Sequence, residues 1–320
     1  MKKVLYIGNK ATHDQYVKGI VPSHWLYGAI EMERCGCQMV WEDESPSLLN
    51  DCKLVRASRP DIVFIPNLNL HRHILLLVLS ALGIQRKPVI AFLHHEPKVK
   101  KGVRSWLYRI ALSGCRHIFF LSGKTMESTV NNRLVNPAKC SLPGWGADMD
   151  FYDKVTTSPG DYFVSTGKEN RDFDILIEAF KKTGAPLKII TAKEHAGNNH
   201  EYLAQACKDI PNIEVILTEN TGEVYGMMID EMAHAKALVC PIRQDCLNYC
   251  VGLSTITDAE GLSKPLIITR NPYHDPHRTR GFNVVESLDD WVEAIKNLSS
   301  PPRPENTMER CWENMKAFIL

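Results

Sequence analysis

Lys168 and Arg171 lie in the segment Ser165-Thr-Gly-Lys-Glu-Asn-Arg-Asp-Phe-Asp174, and their type and spacing point most directly to chemistry. A short apolar strand ends at Gly167, and Asp172 is placed to cap the helix that follows. Both cations therefore stand at a strand-to-helix junction beside a helix N-terminus, where they can neutralise a diphosphate. The plainer reading of either alone is a solvated loop charge. A second segment, Gly252 to Thr269 (GLSTITDAEGLSKPLIIT), reads as a glycine-containing loop, a short helix, a stop and a buried strand. Ser254 or Thr255 is expected to cap this helix, which puts Asp258 in its first turn. Ser263-Lys264-Pro265 ends it, because proline cannot continue a helix. Leu266-Ile267-Ile268 is an apolar run of the buried parallel-strand kind. The backbone at Gly252, Leu253 and Ser254 would present free N–H groups and the positive dipole end to an anion. Asp258 would accept from sugar hydroxyls. Together the segments describe a pocket for a nucleoside diphosphate joined to a sugar; by itself the second is also what a capped helix in any α/β domain looks like.

His94-His95-Glu96-Pro97 follows the apolar run Val89–Leu93. In doubly wound sheets, ligands bind beyond the carboxyl ends of strands. A neutral imidazole there can hydrogen-bond a hydroxyl or act as a base, with His94 the better placed and His95 next. The alternative is a loop histidine with no role. His13 and Asp14 follow the first strand and are weaker candidates. Gly8-Asn9-Lys10 ends that strand without the two further glycines of a dinucleotide-binding loop, which argues against a nicotinamide dehydrogenase.

These residues need elements to position them, and strand-like and helix-like segments alternate almost throughout. Strands are expected at Val4–Gly8, Gln38–Trp41, Asp61–Pro66, Val89–Leu93 and His117–Leu121. Helices are expected at Ser23–Arg34, Leu48–Ala57, Ile74–Leu82, Val103–Leu112 and Thr125–Leu134. After a glycine-rich break at Pro143-Gly-Trp-Gly-Ala-Asp148-Met-Asp150-Phe-Tyr152, the alternation restarts. Strands are then expected at Tyr162–Ser165, Leu187–Thr191, Ile213–Leu217, Leu238–Ile242, Leu266–Thr269 and Asn283–Val285. Helices are expected at Asp174–Lys182, Glu223–Ala237, Thr255–Leu262, Asp289–Leu298 and, after Pro301-Pro302-x-Pro304, Glu305–Phe318. Such alternation implies right-handed βαβ units and parallel sheets.

The Gly252–Thr269 segment resembles the donor-site motif of GT-B glycosyltransferases, in particular the retaining family-four-like group (glycosyl transferases group 1). Asp258-Ala259 matches its acid-alanine pair and Ser263-Lys264-Pro265 its helix end. That family usually carries two glutamates separated by seven residues; here Asp258 replaces the second and Cys250 stands in place of the first. The Lys168–Arg171 segment is similar to the family's phosphate clamp, with tighter spacing. Pro143 to Tyr152 is similar to the linker entering the second GT-B domain, which makes Asp148-Met-Asp150 part of a linker and not a metal-binding D-x-D. The resemblance implies an α/β fold of two Rossmann-like doubly wound domains facing across a cleft. Residues 1–143 would form the acceptor side, 144–302 the nucleotide-sugar donor domain, and 303–320 a helix crossing back. It implies that Gly8 and Gly167 approach the donor phosphates, that His94 contacts the donor sugar, and that Arg270-Asn271-Pro272-Tyr273 is the turn after the motif. The implied substrate is a UDP- or GDP-sugar, with no cofactor and no metal, and the acceptor a glycan, a lipid-linked sugar or a small molecule. A binding protein without transferase activity and a sugar-nucleotide epimerase are the alternatives.

The apolar fraction of 44% and charged fraction of 23% over 320 residues suit two ordinary domains. No apolar run reaches transmembrane length, and the N-terminal MKKVLYIG lacks the h-region of a secretory signal, so a cytoplasmic protein is expected. Ten scattered cysteines without a C-x-x-C pair read as reduced thiols. Cys246 and Cys250 stand in the donor loop, as reactive thiols or, more simply, as packing residues. The net charge of +1 conceals an asymmetry: residues 1–143 carry 20 Lys+Arg against 10 Asp+Glu, and residues 144–320 carry 18 against 27. The basic half suits an anionic membrane or a phosphorylated acceptor. No nucleic-acid-binding module is present. The stretch Lys98–Arg109 holds five cations and no acid, with Val103, Trp106, Leu107 and Ile110 on one helical face. That face is expected to pack on the sheet, or to rest on a membrane surface.

Overall fold

The computed structural model describes residues 1–98, 102–195, 198–219, 224–245, 247–302 and 304–320. The chain forms two compact units. Met1–Lys18, Ser23–Gly146 and Asn306–Leu320 make the first; Gly19–Pro22 and Ala147–Glu305 make the second.

The first unit is built on a six-stranded sheet in the order Gln38–Glu42, Lys3–Ile7, Ile62–Ile65, Val89–Leu93, Cys115–Phe120, Cys140–Ser141, with every pairing parallel. Ile62–Ile65 and Val89–Leu93 are buried at every position, as strands covered on both faces must be. The second unit repeats the plan, in the order Ile213–Thr218, Leu187–Ala192, Phe163–Thr166, Ala237–Cys240, Leu266–Thr269, Asn283–Val285, again all parallel. Its core gathers Phe163, Phe173, Phe180, Ile189, Val239, Ile267 and the fully buried Trp291. Burying each such side chain contributes roughly 1.5–3 kcal/mol.

Several expected boundaries move, for local reasons. Ser23–Arg34 is not one helix: Ser23–Leu26 is a 3-10 turn, Tyr27 and Gly28 take φ of 49° and 90°, and an α-helix runs only from Ala29 to Arg34. The helix expected from Ile74 starts at Leu70, because the Asn69 side chain accepts from the N–H groups of His71 and Arg72 at 3.0 and 3.3 Å. A helix at Lys10–Val17 with no buried residue went unread, since it has no apolar stripe. The helix expected over residues 223–237 spans Val224–Ala233, and Glu223 lies outside the described residues.

Helix Val103–Ser113 forms, but not with the expected face inward. It buries Tyr108, Ala111 and Leu112, and leaves Val103 80% and Trp106 60% exposed. The Tyr108 hydroxyl sets this rotation: it receives Arg104 Nε at 3.0 Å and lies 3.1 Å from His71 Nε2 on the neighbouring helix. Lys100 and Lys101 of the basic stretch lie outside the described residues.

The last helix, Met308–Ile319, is capped by the Thr307 hydroxyl and packs on the first unit. Phe318 stacks on His117 with ring centroids 3.6 Å apart, and Asn314 Nδ2 donates to Pro143 O at 3.0 Å. In the glycine-rich linker, Asp148 Oδ1 accepts from Phe151 N at 3.2 Å and so caps the short helix Met149–Tyr152, a structural task for a carboxylate of the D-x-D.

Candidate functional site

In the second sheet the chain leaves Phe163–Thr166 in one direction, through Leu187–Ala192 and Ile213–Thr218. It then returns to add Ala237–Cys240 on the other side. That reversal is the switch point beyond which open α/β sheets bind ligands. The two loops leaving it are joined: Arg243 N donates to Asn170 O at 3.0 Å and Asp172 N to Pro241 O at 3.2 Å. The Asp172 side chain accepts from Ile175 N at 3.3 Å and starts helix Phe173–Thr183, the cap expected from the sequence.

Arg171 lies inside this junction. Its Nη1 donates to Glu169 O at 2.9 Å, and its Nη2 reaches Thr166 O and Thr255 Oγ1, each at 3.4 Å. Only 9% of the residue is exposed, and Nε has no partner among the described residues. These hydrogen-bond acceptors are all neutral oxygens. The guanidinium curls beneath Gly167, whose φ is +105°; a Cβ there would lie 2.6 Å from Nη2, so both conformation and space demand glycine.

Thr255 brings in the second segment. Helix Leu253–Gly261 begins two residues earlier than expected, with Gly252 at its N-cap at φ 89°, and no side chain caps its first turn. A Cβ on Gly252 would lie 2.9 Å from Ile242 Cδ1 and 3.2 Å from Cys240 Sγ, which excludes a capping serine there. Ser254 and Thr255 are therefore helical residues and not caps. Leu253 N donates to Cys250 O at 3.0 Å and so is not the free donor expected there, whereas Ser254 N–H belongs to the uncapped first turn. The positive end of the helix dipole and a buried guanidinium that has no carboxylate partner among the described residues thus stand together. A buried unpaired cation is costly, and an anion at this spot would offset both terms.

Lys168, half-buried, flanks the junction; burial pushes its ammonium below the ordinary lysine range, with Glu169 acting the other way. The imidazole of His195 is also lowered, first by burial and then by the Lys168 charge. Cys250 is buried, and burial pushes its thiol up to about 12, so it is a packing thiol and not a nucleophile. Cys246 lies outside the described residues. The other cysteines are all free thiols, as the spacing predicts. Among the described residues no group of three His, Cys, Asp or Glu could hold a metal ion.

Asp258 is not in the first turn. As the sixth residue of its helix it lies one turn deeper, 5% exposed, and Oδ1 accepts from Tyr152 Oη at 2.6 Å and Tyr225 Oη at 2.7 Å. Burial pushes its carboxyl up to about 6, against the two tyrosine hydrogen bonds. Tyr152 also lies against Gly261, where a Cβ would meet its ring at 2.2 Å. This acid therefore joins the linker helix to the helices Leu253–Gly261 and Val224–Ala233. Lys264 is likewise structural: its Nζ donates to Ser158 O and Ala235 O, both at 2.7 Å.

Four residues that support the site escaped the sequence reading or were given lesser roles. Asn271, in the turn after the motif, donates to Tyr249 O and Val251 O at 3.1 Å each. His274 Nε2 donates to Val251 O at 2.8 Å, and burial lowers its imidazole to about 4, so the ring is neutral. Arg278 is 4% exposed and pairs with Glu260 at 2.9 Å and Thr257 at 3.1 Å. Tyr225 falls, by sequence, only within an expected helix. The Asn-Pro dipeptide marked the turn, but no local pattern marks Tyr225, His274 or Arg278.

The remaining candidates belong to the first unit. Gly8 ends its first strand at φ +116°, beside Glu44 and Pro66. His94 follows Val89–Leu93, with its ring 5.1 Å from that of Tyr27. Burial lowers its imidazole to about 4, with His95 adding to the effect, so it is neutral at pH 7. Its Nε2 is buried and has no partner among the described residues. His95 is exposed. His13 stacks on Trp41 at 4.1 Å, with its ring nitrogens 3.9 Å from the carboxylates of Asp14 and Glu33.

Comparison with solved structures identifies the architecture. A UDP-GlcNAc 2-epimerase of Neisseria meningitidis bound to UDP-GlcNAc matches over 100% of both chains, at 11% identity and a TM-score of 0.59. The Anabaena protein HepE in complex with UDP matches over 99% of this chain and 94% of its own, at 11% identity and TM-score 0.59. A glycosyltransferase involved in avilamycin A biosynthesis matches over 99% and 93%, at 11% identity and TM-score 0.58. No family model and no curated protein matches the sequence. The fold is the GT-B fold of two Rossmann-like domains.

Proposed function

We propose that this chain is an enzyme acting on a nucleoside-diphosphate sugar, and specifically a glycosyltransferase that moves the sugar to a glycan, a lipid-linked sugar or a small molecule. The observation that carries this is the buried Arg171 guanidinium, without a carboxylate partner among the described residues, set against the uncapped start of helix Leu253–Gly261. As the bond from the anomeric carbon to the β-phosphate oxygen breaks, its electron pair stays on that oxygen. Arg171, Lys168 and the N–H group at Ser254 stabilise the charge where it develops. The acceptor hydroxyl forms the new carbon–oxygen bond and releases its proton to a base. UDP is the favoured leaving group, because neighbours of this fold were solved with UDP or UDP-GlcNAc. Retention at the anomeric carbon belongs to the same proposal, and no step is assigned to a resident metal.

Thermal shift with UDP, GDP and ADP, followed by a panel of the corresponding sugar donors, tests this. UDP at a hundredfold excess over its Kd should stabilise the protein by about 2.7 kcal/mol. Arg171→Met should abolish that shift. If no nucleoside diphosphate stabilises the protein and no donor turns over, the proposal is wrong. A second reading, a sugar-nucleotide epimerase, is favoured by the full-length superposition on the epimerase of Neisseria meningitidis. Incubation with UDP-GlcNAc without acceptor distinguishes the two: an isomerised sugar marks the epimerase, whereas transfer to an added acceptor marks the transferase. Nucleotide binding with neither product marks a binding protein.

A further inference from the structure

Two neighbouring helices of the first unit turn apolar side chains outward. Helix Val103–Ser113 leaves Val103 80% and Trp106 60% exposed, with Ile110 half-buried on the same stripe. Helix Leu70–Ala81 lies alongside: His71 Nε2 is 2.9 Å from Arg104 Nη2 at one end, and Gly114 sits against the Leu77 carbonyl at the other. That helix buries Leu70, His73, Leu76 and Leu77, so Leu75 and Leu79 fall on its outer side, only partly covered. Just beyond its end, Leu82 is 64% and Ile84 67% exposed. Neither helix carries an aspartate or glutamate, and Arg104 and Arg109 are exposed beside the stripe. Residues 51–143 as a whole hold 15 Lys+Arg against 4 Asp+Glu.

We propose that this outer face docks the protein on an anionic lipid bilayer. Tryptophan and aliphatic side chains at the level of the headgroups leave water, while arginines beside them pair with lipid phosphates. Charge complementarity selects the occupant. Arg72 of helix Leu70–Ala81 is paired with Glu44, but two helices with cations and no carboxylates of their own are attracted to a uniformly negative surface, each free cation raising partitioning by about fivefold. Among the described residues no helix is long and apolar enough to cross a membrane, so the attachment is peripheral. This inference stands independently of the nucleotide-sugar proposal.

Cosedimentation of the full chain with vesicles tests it, using phosphatidylcholine alone and phosphatidylcholine with about 30% phosphatidylglycerol, in about 0.1 M salt. Binding to the anionic vesicles should exceed binding to the neutral ones by at least about tenfold, and should fall several-fold in about 0.5 M salt. Trp106→Ala should weaken it about tenfold, Arg109→Glu by a similar factor, and Trp106→Tyr should retain most of it. Both positions are exposed, so melting temperatures should stay near that of the unaltered chain. Equal binding to both vesicle types, or unaltered binding by both Trp106→Ala and Arg109→Glu, overturns the proposal. So does a dimer in solution that Trp106→Ala dissociates, because the face would then belong to a second copy of the chain.

Discussion

Replacing Asp258 by asparagine distinguishes an acid that holds the fold from one that grips a sugar. In the structure Oδ1 receives hydroxyls from Tyr152 and Tyr225 at 2.6 and 2.7 Å, and an asparagine carbonyl can accept both. What the substitution removes is a buried negative charge. The carboxyl is raised from 3.8 to about 6, and at about 1.36 kcal/mol per pH unit that difference corresponds to about 3 kcal/mol. The sign follows from the proton count. Between pH 4 and 6 the folded state binds more protons than the unfolded one, so this contribution is fully present below about pH 4 and lost as pH rises through about 6. Asparagine removes that pH dependence. At pH 8 it should be between neutral and about 2 kcal/mol stabilising, after an allowance of about 1–3 kcal/mol for an amide hydrogen left without an acceptor. At pH 4 the variant should be the less stable protein. Urea unfolding at both pH values measures this, and calorimetry with UDP should show affinity changed by less than about threefold, well below the loss of a charged contact. Loss of nucleotide binding with unchanged stability, or greater destabilisation at pH 8 than at pH 4, would refute the assignment of Asp258 to the fold.

Gly167→Ala should displace the Arg171 guanidinium, which lies 2.6 Å from the added Cβ, and weaken UDP binding by about tenfold or more while costing about 1–3 kcal/mol of stability. Binding calorimetry and thermal melts read the two effects. Arg278→Leu leaves the buried Glu260 carboxylate unpaired and should cost about 3–5 kcal/mol at pH 8. Glu260 is already raised to about 7 by burial, so protonation should shrink that cost by pH 5.5; a pH-independent loss in chemical denaturation would contradict the ion pair's role. Lys264→Met removes both donors from Ser158 O and Ala235 O, and should destabilise by about 2–4 kcal/mol without altering nucleotide affinity once folded.

The alternation of apolar runs with amphipathic stretches was enough to read two parallel α/β sheets. That signal is local and repeated: strands such as Val89–Leu93 and Leu266–Thr269 are buried at every position, and their composition shows it. The cation pair after Gly167 and the Asp172 cap were legible for the same reason, because a strand, a turn and a helix start lie within ten residues of one another. Which residue begins a helix, which way a stripe faces and what a buried charge touches depend on groups distant in the chain. Ser254 and Thr255 are good caps by type, but Ile242 and Cys240 close in on Gly252 and move the start forward. Val103 and Trp106 form an inward stripe by periodicity, but Tyr108 bonds to Arg104 and lies beside His71, which turns it outward. Asp258 looked like a ligand for sugar until folding brought Tyr152 and Tyr225 to it from 106 and 33 residues away. Local pattern determines which elements form, because backbone propensity and side-chain period act within a few residues. Packing decides where each polar group finds its partner, because burying one without a partner costs more than the local preference it overrides.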